Sequence, residues 1–439
     1  MDKDNLKLNK SFDLALKNHQ SNNLQDAQNY YQKVLELDPN HSQTLNNLGT
    51  IFTNLKENQK AKEYYEKAIK INPGYADAHY NLGIIFKKLA ENQKAKECYE
   101  KTIKLNPNHV DAHNNLGVIF QDLSELQKAK NCYEKSILIN PNLANIHNNL
   151  GIIFIELGEI EKAKNCFEQA IKINFNYPDA HNNLGNIFKE LGENQKAKDC
   201  YEKAIGMNPG YADAHNNLGA IFIQLKENQK AKECFEKTIE INPNHSAAHN
   251  NLGVIFQDLS ELQKAKEFYE KAIELKPNYQ EALFSRGKIL FLQEEFELAL
   301  IDFDNCNTFD SRSRALISLY ALGRIDEIYK RIEKNSQLDE KNIRVAAFSS
   351  FIANKEKKST THNFCPNPID FIHHSNLSSH LQNFNSFITE VIKELDNVDS
   401  VWEPFNITTR KGFQSKPTLF IKPQKKIQNL KSIIITEIE

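Results

Sequence analysis

The sequence predicts an all-α chain: a solenoid of helical hairpins from residue 8 to about 313, then a small, partly irregular C-terminal segment. Two observations predict it. Glycine recurs at Gly49, Gly83, Gly117, Gly151, Gly185, Gly219, Gly253 and Gly287, each interval being 34 residues with no insertion. In the same register stand Ala61, Ala95, Ala129, Ala163, Ala197, Ala231, Ala265 and Ala299, then an aromatic series of Tyr65, Tyr99, Tyr133, Phe167, Tyr201, Phe235, Tyr269 and Phe303. A fixed period of this length marks stacked units, none of which can bury its apolar face alone, so that neighbours share one continuous core.

Counting units from residues 42, 76, 110, 144, 178, 212, 246 and 280, the glycine is the eighth position, the alanine the twentieth and the aromatic the twenty-fourth. Small residues at the eighth and twentieth positions let two antiparallel helices cross closely. Leucine at the seventh, phenylalanine at the eleventh (Phe52 to Phe256) and the twenty-fourth aromatic form apolar stripes at helical spacing. Asp77, Asp111, Asp179 and Asp213 fall in the first turn of the first helix, where negative charge complements the helix dipole. Pro73, Pro107, Pro141, Pro209, Pro243 and Pro277 stop the second helix, with Phe175 in that place once. A weaker opening unit over residues 8–41 keeps Ala15, Ala27, Tyr31 and Pro39, which makes nine units.

These positions resemble the tetratricopeptide repeat (TPR) family. The resemblance implies a right-handed superhelix whose first helices line a concave surface, with groove-facing second, fifth, sixth, ninth, twelfth and thirteenth positions. The sixth is asparagine in seven consecutive units: Asn47, Asn81, Asn115, Asn149, Asn183, Asn217 and Asn251. The fifth is asparagine in six of the same units, Tyr80 replacing it once. A primary amide offers donors and an acceptor, so a ladder of them can pair with the main chain of an extended peptide whatever its side chains. The pattern is similar to the asparagine ladder of O-linked N-acetylglucosamine transferases. The seven sixth-position residues are therefore the candidate peptide-binding site. Selectivity would come from Lys87, Lys88, Gln121, Asp122, Glu156, Lys189, Glu190, Gln257 and Asp258, whose mixed charges predict no strong charge preference. The competing reading is structural, with the amides capping or bridging neighbouring helices; it is favoured at the fifth position.

Residues 117–130 and 253–266 are identical, an interval of four units, which points to a duplicated block and to long or repetitive ligands. His79, His113, His147, His181, His215 and His249 repeat at the fourth position. One imidazole per unit does not converge on a metal, so core packing with a satisfied ring nitrogen is expected. The runs from Lys56 to Lys62 and their copies read as solvated faces of the second helix. Cys98, Cys132, Cys166, Cys200 and Cys234 occupy one repeat position. Equivalent positions lie roughly 10 Å apart, beyond the reach of about 7 Å for a disulfide, so reduced thiols are expected.

Beyond residue 313 the register fails. Residues 314–353 are expected to be a helical cap, 354–365 a polar linker, and 366–439 an incomplete domain with a helix near 376–396. Phe364 to Phe371, Trp402-Glu403-Pro404, Thr408-Thr409, Gly412 to Ser415 and Leu419-Phe420 resemble the opening segment of a 2-oxoglutarate- and iron(II)-dependent oxygenase family found behind TPR arrays. Such enzymes hold iron with two histidines and a carboxylate. Here the one His-x-Asp, His109-Val110-Asp111, is explained by the repeat register, and no histidine follows Trp402. The expectation is therefore no catalytic residue, no metal site, no cofactor and no enzyme activity, unless a catalytic domain is encoded beyond residue 439.

Lys and Arg number 55 against 57 Asp and Glu, for a net charge of −2, which offers no basic excess for nucleic acid or a membrane surface. With no signal-like segment and no long apolar run, a cytoplasmic protein-interaction scaffold for polypeptide partners is the leading reading. The alternatives are the substrate-recruiting part of an oxygenase truncated before its active site, or the substrate-holding part of a glycosyltransferase.

Overall fold

The computed structural model describes residues 3–306, 308–339 and 342–356 and two short strands at 400–401 and 414–415. They lie in two compact units, Met1–Gln224 and Leu225–Glu439.

The first unit is a run of antiparallel hairpins: α1 (Lys3–Gln20) with α2 (Leu24–Leu37), α3 (Ser42–Asn54) with α4 (Asn58–Ile71), α5 (Ala76–Lys88) with α6 (Asn92–Leu105), α7 (Val110–Asp122) with α8 (Leu126–Ile139), α9 (Ala144–Glu156) with α10 (Ile160–Ile173), α11 (Pro178–Glu190) with α12 (Asn194–Met207), then α13 (Ala212–Gln224). The helix boundaries follow the repeat. Each first helix ends at a fifteenth-position residue with positive φ, from +58° at Ala90 to +75° at Gly158. The next N–H then reaches back to the eleventh-position carbonyl, as Glu57 does to Phe52 at 2.9 Å, which satisfies a carbonyl the helix end would orphan. Between units, the chain leaves the helix at an asparagine whose side chain accepts from the N–H two residues on, as Asn72 does from Gly74 at 3.1 Å.

The core is the predicted one. The eighth-position glycines meet the twenty-fourth-position rings, which are fully buried at Tyr65, Tyr99, Tyr133, Phe167 and Tyr201. The lysine runs do more than face solvent. The Phe86 ring lies between the Nζ atoms of Lys62 and Lys94, at 5.5 and 5.4 Å, and Phe120 between those of Lys96 and Lys128, at 5.2 and 5.4 Å. Lysine stems thus roof the exposed edge of each unit boundary while their heads stay wet.

The second unit holds α14 (Asn228–Ile241), α15 (Ser246–Asp258), α16 (Leu262–Leu275), α17 (Gln280–Leu292), α18 (Phe296–Cys306), α19 (Phe309–Ala321), α20 (Ile325–Lys334) and α21 (Ile343–Lys355). Hairpin geometry continues beyond residue 313. Here α18 has 11 residues where earlier second helices have 14. A Thr308–Ser311 capping box then starts α19 at Phe309, ahead of the 34-residue count. The same turn follows, with Gly323 at φ +72° and Arg324 N–H on the Leu319 carbonyl at 2.9 Å. The cluster of Leu319, Ile328 and Ile332 is closed by Val345, Phe348 and Ile352 of α21. Helix α21 runs to Lys355, into the stretch expected to be linker.

Strands β1 (Ser400–Val401) and β2 (Gln414–Ser415) pair antiparallel, Val401 opposite Gln414. The rest of the oxygenase-like segment, the expected linker beyond Glu356 and the helix near 376–396 lie outside the described residues. Among the described residues, no helix is long and apolar enough to cross a membrane.

Candidate functional site

At 100° per residue, the second, sixth, ninth and thirteenth positions of a first helix fall within about 60° of one another, on a face turned about 120° from the buried third, seventh, tenth and eleventh. In the first unit, α3 touches α5, α9 touches α11 and α11 touches α13, and among the described residues no two successive second helices come as close. The first helices are therefore the tighter-packed layer, and the inner one wherever the stack curves.

The sixth-position amides sit at the seams of this layer. Asn81, Asn149, Asn183 and Asn217 donate through Nδ2 to the Oδ1 of Asn46, Asn114, Asn148 and Asn182 at 3.0, 3.4, 3.0 and 3.1 Å. Each acceptor is the fifth-position asparagine of the preceding unit, 35 residues back. Where Tyr80 replaces it, Asn115 donates to the tyrosine hydroxyl at 3.3 Å, and Asn47 donates to Tyr31 Oη at 3.1 Å. Asn251 stands in the same place on α15 and is half-buried like the others. The two asparagine columns thus divide their work. Fifth-position Asn46, Asn148, Asn182 and Asn250 are buried, whereas the sixth-position amides keep solvent contact while one N–H holds the neighbouring unit. Sequence reasoning separated the two columns but missed the bond between them. The signal was present in Tyr80, a hydroxyl acceptor substituting for an amide acceptor.

The same seam carries other chemistry further on. In the second unit, fifth-position Phe284 meets the Arg314 guanidinium of α19, with 5.5 Å from Cζ to the ring centroid. Lys87 pairs with Asp122 at 2.9 Å and Gln121 with Glu156 at 3.1 Å, each a twelfth-position side chain meeting the next unit's thirteenth. These four expected selectivity residues are partly engaged with one another.

The fourth-position histidines are structural. Nε2 of His79, His113 and His147 bonds the carbonyls of Pro73, Pro107 and Pro141 at 3.1, 2.9 and 2.9 Å, and the pattern repeats at His181, His215 and His249. Each ring staples its helix to the turn that precedes it. Burial pulls His79, His113 and His181 below the ordinary histidine value; the carbonyl bond opposes this, and Lys101, Lys135 and Lys203 respectively add to it, joined at His113 by His109. With the folded pKa depressed, the unfolded chain takes up protons first as pH falls. Stability is complete above about pH 6.5 and is lost as pH falls through the folded values. Melting temperature should be flat from pH 7.5 to 6.5 and fall towards pH 5. The triple variant His79→Gln, His113→Gln, His181→Gln should flatten that fall. A wild-type profile level to pH 5 would refute the linkage.

His109 of the His-x-Asp triplet caps α7, its Nδ1 accepting from the Ala112 N–H at 3.2 Å, as His41 and His245 do for α3 and α15. Among the described residues, no three His, Cys, Asp or Glu side chains converge as a metal site. Cys98, Cys132, Cys166 and Cys200 form no disulfide; burial pushes Cys98 up to about 12 and the other three to about 11, far from a reactive thiolate.

Stacked helical hairpins define a helical-repeat interaction scaffold. The tetratricopeptide repeat model matches residues 42–75, 76–109, 110–143, 178–211, 212–245 and 246–279. Related TPR models match 13–41, 132–165 and 153–192. Residues 13–279 are thus an unbroken TPR array, and the chain belongs to the TPR family.

Similar solved structures include YrrB, described as a TPR protein with an unusual peptide-binding site, at 24% identity over 43% of this chain and 96% of that one, TM-score 0.37. MamA is similar at 25% identity over 38% and 92%, TM-score 0.35, and PilF of Pseudomonas aeruginosa at 18% over 50% and 96%, TM-score 0.44. No curated protein sequence matches the chain.

Proposed function

We propose that this TPR protein is a cytoplasmic, non-catalytic scaffold that holds extended polypeptides along its first helices, gripping their main chain with Asn47, Asn81, Asn115, Asn149, Asn183, Asn217 and Asn251. The observation that carries this reading is the anchored amide. At Asn81, Asn149 and Asn183 one N–H bonded to the preceding unit orients the side chain, and an amide has a second N–H and a carbonyl. Rungs already fixed in place lose less entropy on binding than free side chains would.

Because each rung is also a seam, its loss should cost stability as well as affinity, and the test must separate the two. Asn183→Ala with Asn217→Ala breaks three inter-unit bonds, since Asn217 also donates to Asn186 Oδ1 at 3.2 Å, and removes two half-exposed amides. Asn148→Ala with Asn182→Ala breaks two of those three bonds and removes only buried groups. In peptide-binding anisotropy, the first pair should weaken affinity about tenfold or more and the second about twofold or less. Equal losses in both pairs would make the ladder purely structural.

A further inference from the structure

Beside the amides runs a second column whose character changes along the array. Ninth-position residues of the first unit are Thr50, Ile84, Val118, Ile152, Asn186 and Ala220. In three successive units the column is aliphatic and half-buried, on the same helix face as the sixth-position amide. In the unit from 110 the buried tyrosine hydroxyl has a partner without a polar ninth residue, Tyr133 Oη donating to Gln121 at 3.3 Å. In the unit from 144, Phe167 replaces the tyrosine and Ile155 at the twelfth position joins Ile152. Tyr80, one turn before Ile84, adds an aromatic ring tilted against His109 at 4.5 Å.

The other edge of this face is acidic. Asp77 and Asp111, at the second position, are exposed and make no ion pair among the described residues, and exposed Asp179 continues the row. Burial makes the Tyr80 hydroxyl harder to ionise and the nearby Asp111 carboxylate adds to this; since Asn115 donates to that hydroxyl, the acidic row borders the amides. Crossing the face of units 76, 110 and 144 therefore means passing from carboxylates (Asn145 in the third unit) through amides to aliphatic side chains.

Rung spacing decides which backbone fits. Packed helices lie roughly 8–10 Å apart. A polyproline II chain brings the same edge round every three residues, about 9 Å. A β-strand repeats an edge every two residues, about 7 Å, and falls out of step. We propose, resting on the peptide-binding reading above, that units 76–177 select a three-fold extended peptide with an aliphatic side chain at every third residue and basic residues along its opposite edge.

The experiment uses the full chain and labelled 15-residue peptides. One carries five Val-Pro-Lys triplets. Others replace each Val by Ser, replace each Lys by Glu, or place Val at alternate residues. The triplet peptide should bind about tenfold tighter than each of the others. Val118→Ser with Ile152→Ser should abolish the preference for Val over Ser, with unfolding followed by circular dichroism to confirm that the fold persists. Wild type alone decides the matter if that variant does not fold. Equal binding of all four peptides, still weakened by Asn183→Ala with Asn217→Ala, would overturn this inference and leave the backbone grip standing. Binding of none of them would overturn both.

Discussion

Replacing Arg286 with methionine should destabilise the second unit by about 3–5 kcal/mol, because it leaves a buried carboxylate alone. Arg286 on α17 holds Asp302 on α18 in a fork, Nε to Oδ2 at 2.8 Å and Nη2 to Oδ1 at 2.7 Å. Asp302 is 1% exposed, so water cannot replace the guanidinium. The same two positions hold Leu82 with Cys98, Leu116 with Cys132, Leu150 with Cys166 and Leu184 with Cys200 in earlier units. The hairpin therefore tolerates an apolar pair there, and desolvating two charges often cancels their attraction. The double variant Arg286→Leu with Asp302→Cys should recover wild-type stability or exceed it. Urea unfolding of wild type, single and double variants reads both effects. A single variant within about 1 kcal/mol of wild type would mean the carboxylate finds water or another partner.

Gly151→Ala should cost about 1–2 kcal/mol, although alanine is the better helix former by about 0.5–1 kcal/mol. A Cβ at residue 151 would lie 2.6 Å from Cε1 of Phe167 and 2.9 Å from its Cδ1 and Cζ. That ring is fully buried and has nowhere to swing. Phe167→Leu added to Gly151→Ala should return part of the loss by vacating the ring edge. Gly158→Ala is the control. Its φ is +75° with no heavy atom within 4 Å of the added carbon, and Lys56, Ala90 and Ser124 occupy the same turn position with side chains. It should cost about 1 kcal/mol or less. Thermal melts that rank Gly158→Ala below Gly151→Ala would contradict the close helix crossing.

How far the sequence could be read depended on what repeats. The hairpins from 42 to 306 were legible because Gly151 and its counterparts have one workable size each, so the pattern survives in every unit. The α19–α20 hairpin was hidden because Leu316, Ile328 and Ile332 stand where glycine, alanine and an aromatic would be, and because the short α18 shifts the count. The fourth-position histidines were expected in the core with a satisfied nitrogen; that the partner is the preceding turn's carbonyl depends on a loop path that periodicity does not describe.

The sequence by itself determined the unit, its helix pairing and the alignment of asparagines in two columns, since helical spacing places any residue on a face once the register is known. Only the tertiary structure decided what the asparagines do to one another. A bond such as Asn183 to Asn148 joins residues 35 apart and exists because the stacking of hairpins brings successive first helices close enough for two short amides to meet across the seam. Distance between helices is a property of packing, and it is the packing that turns a column of amides into a fixed ladder.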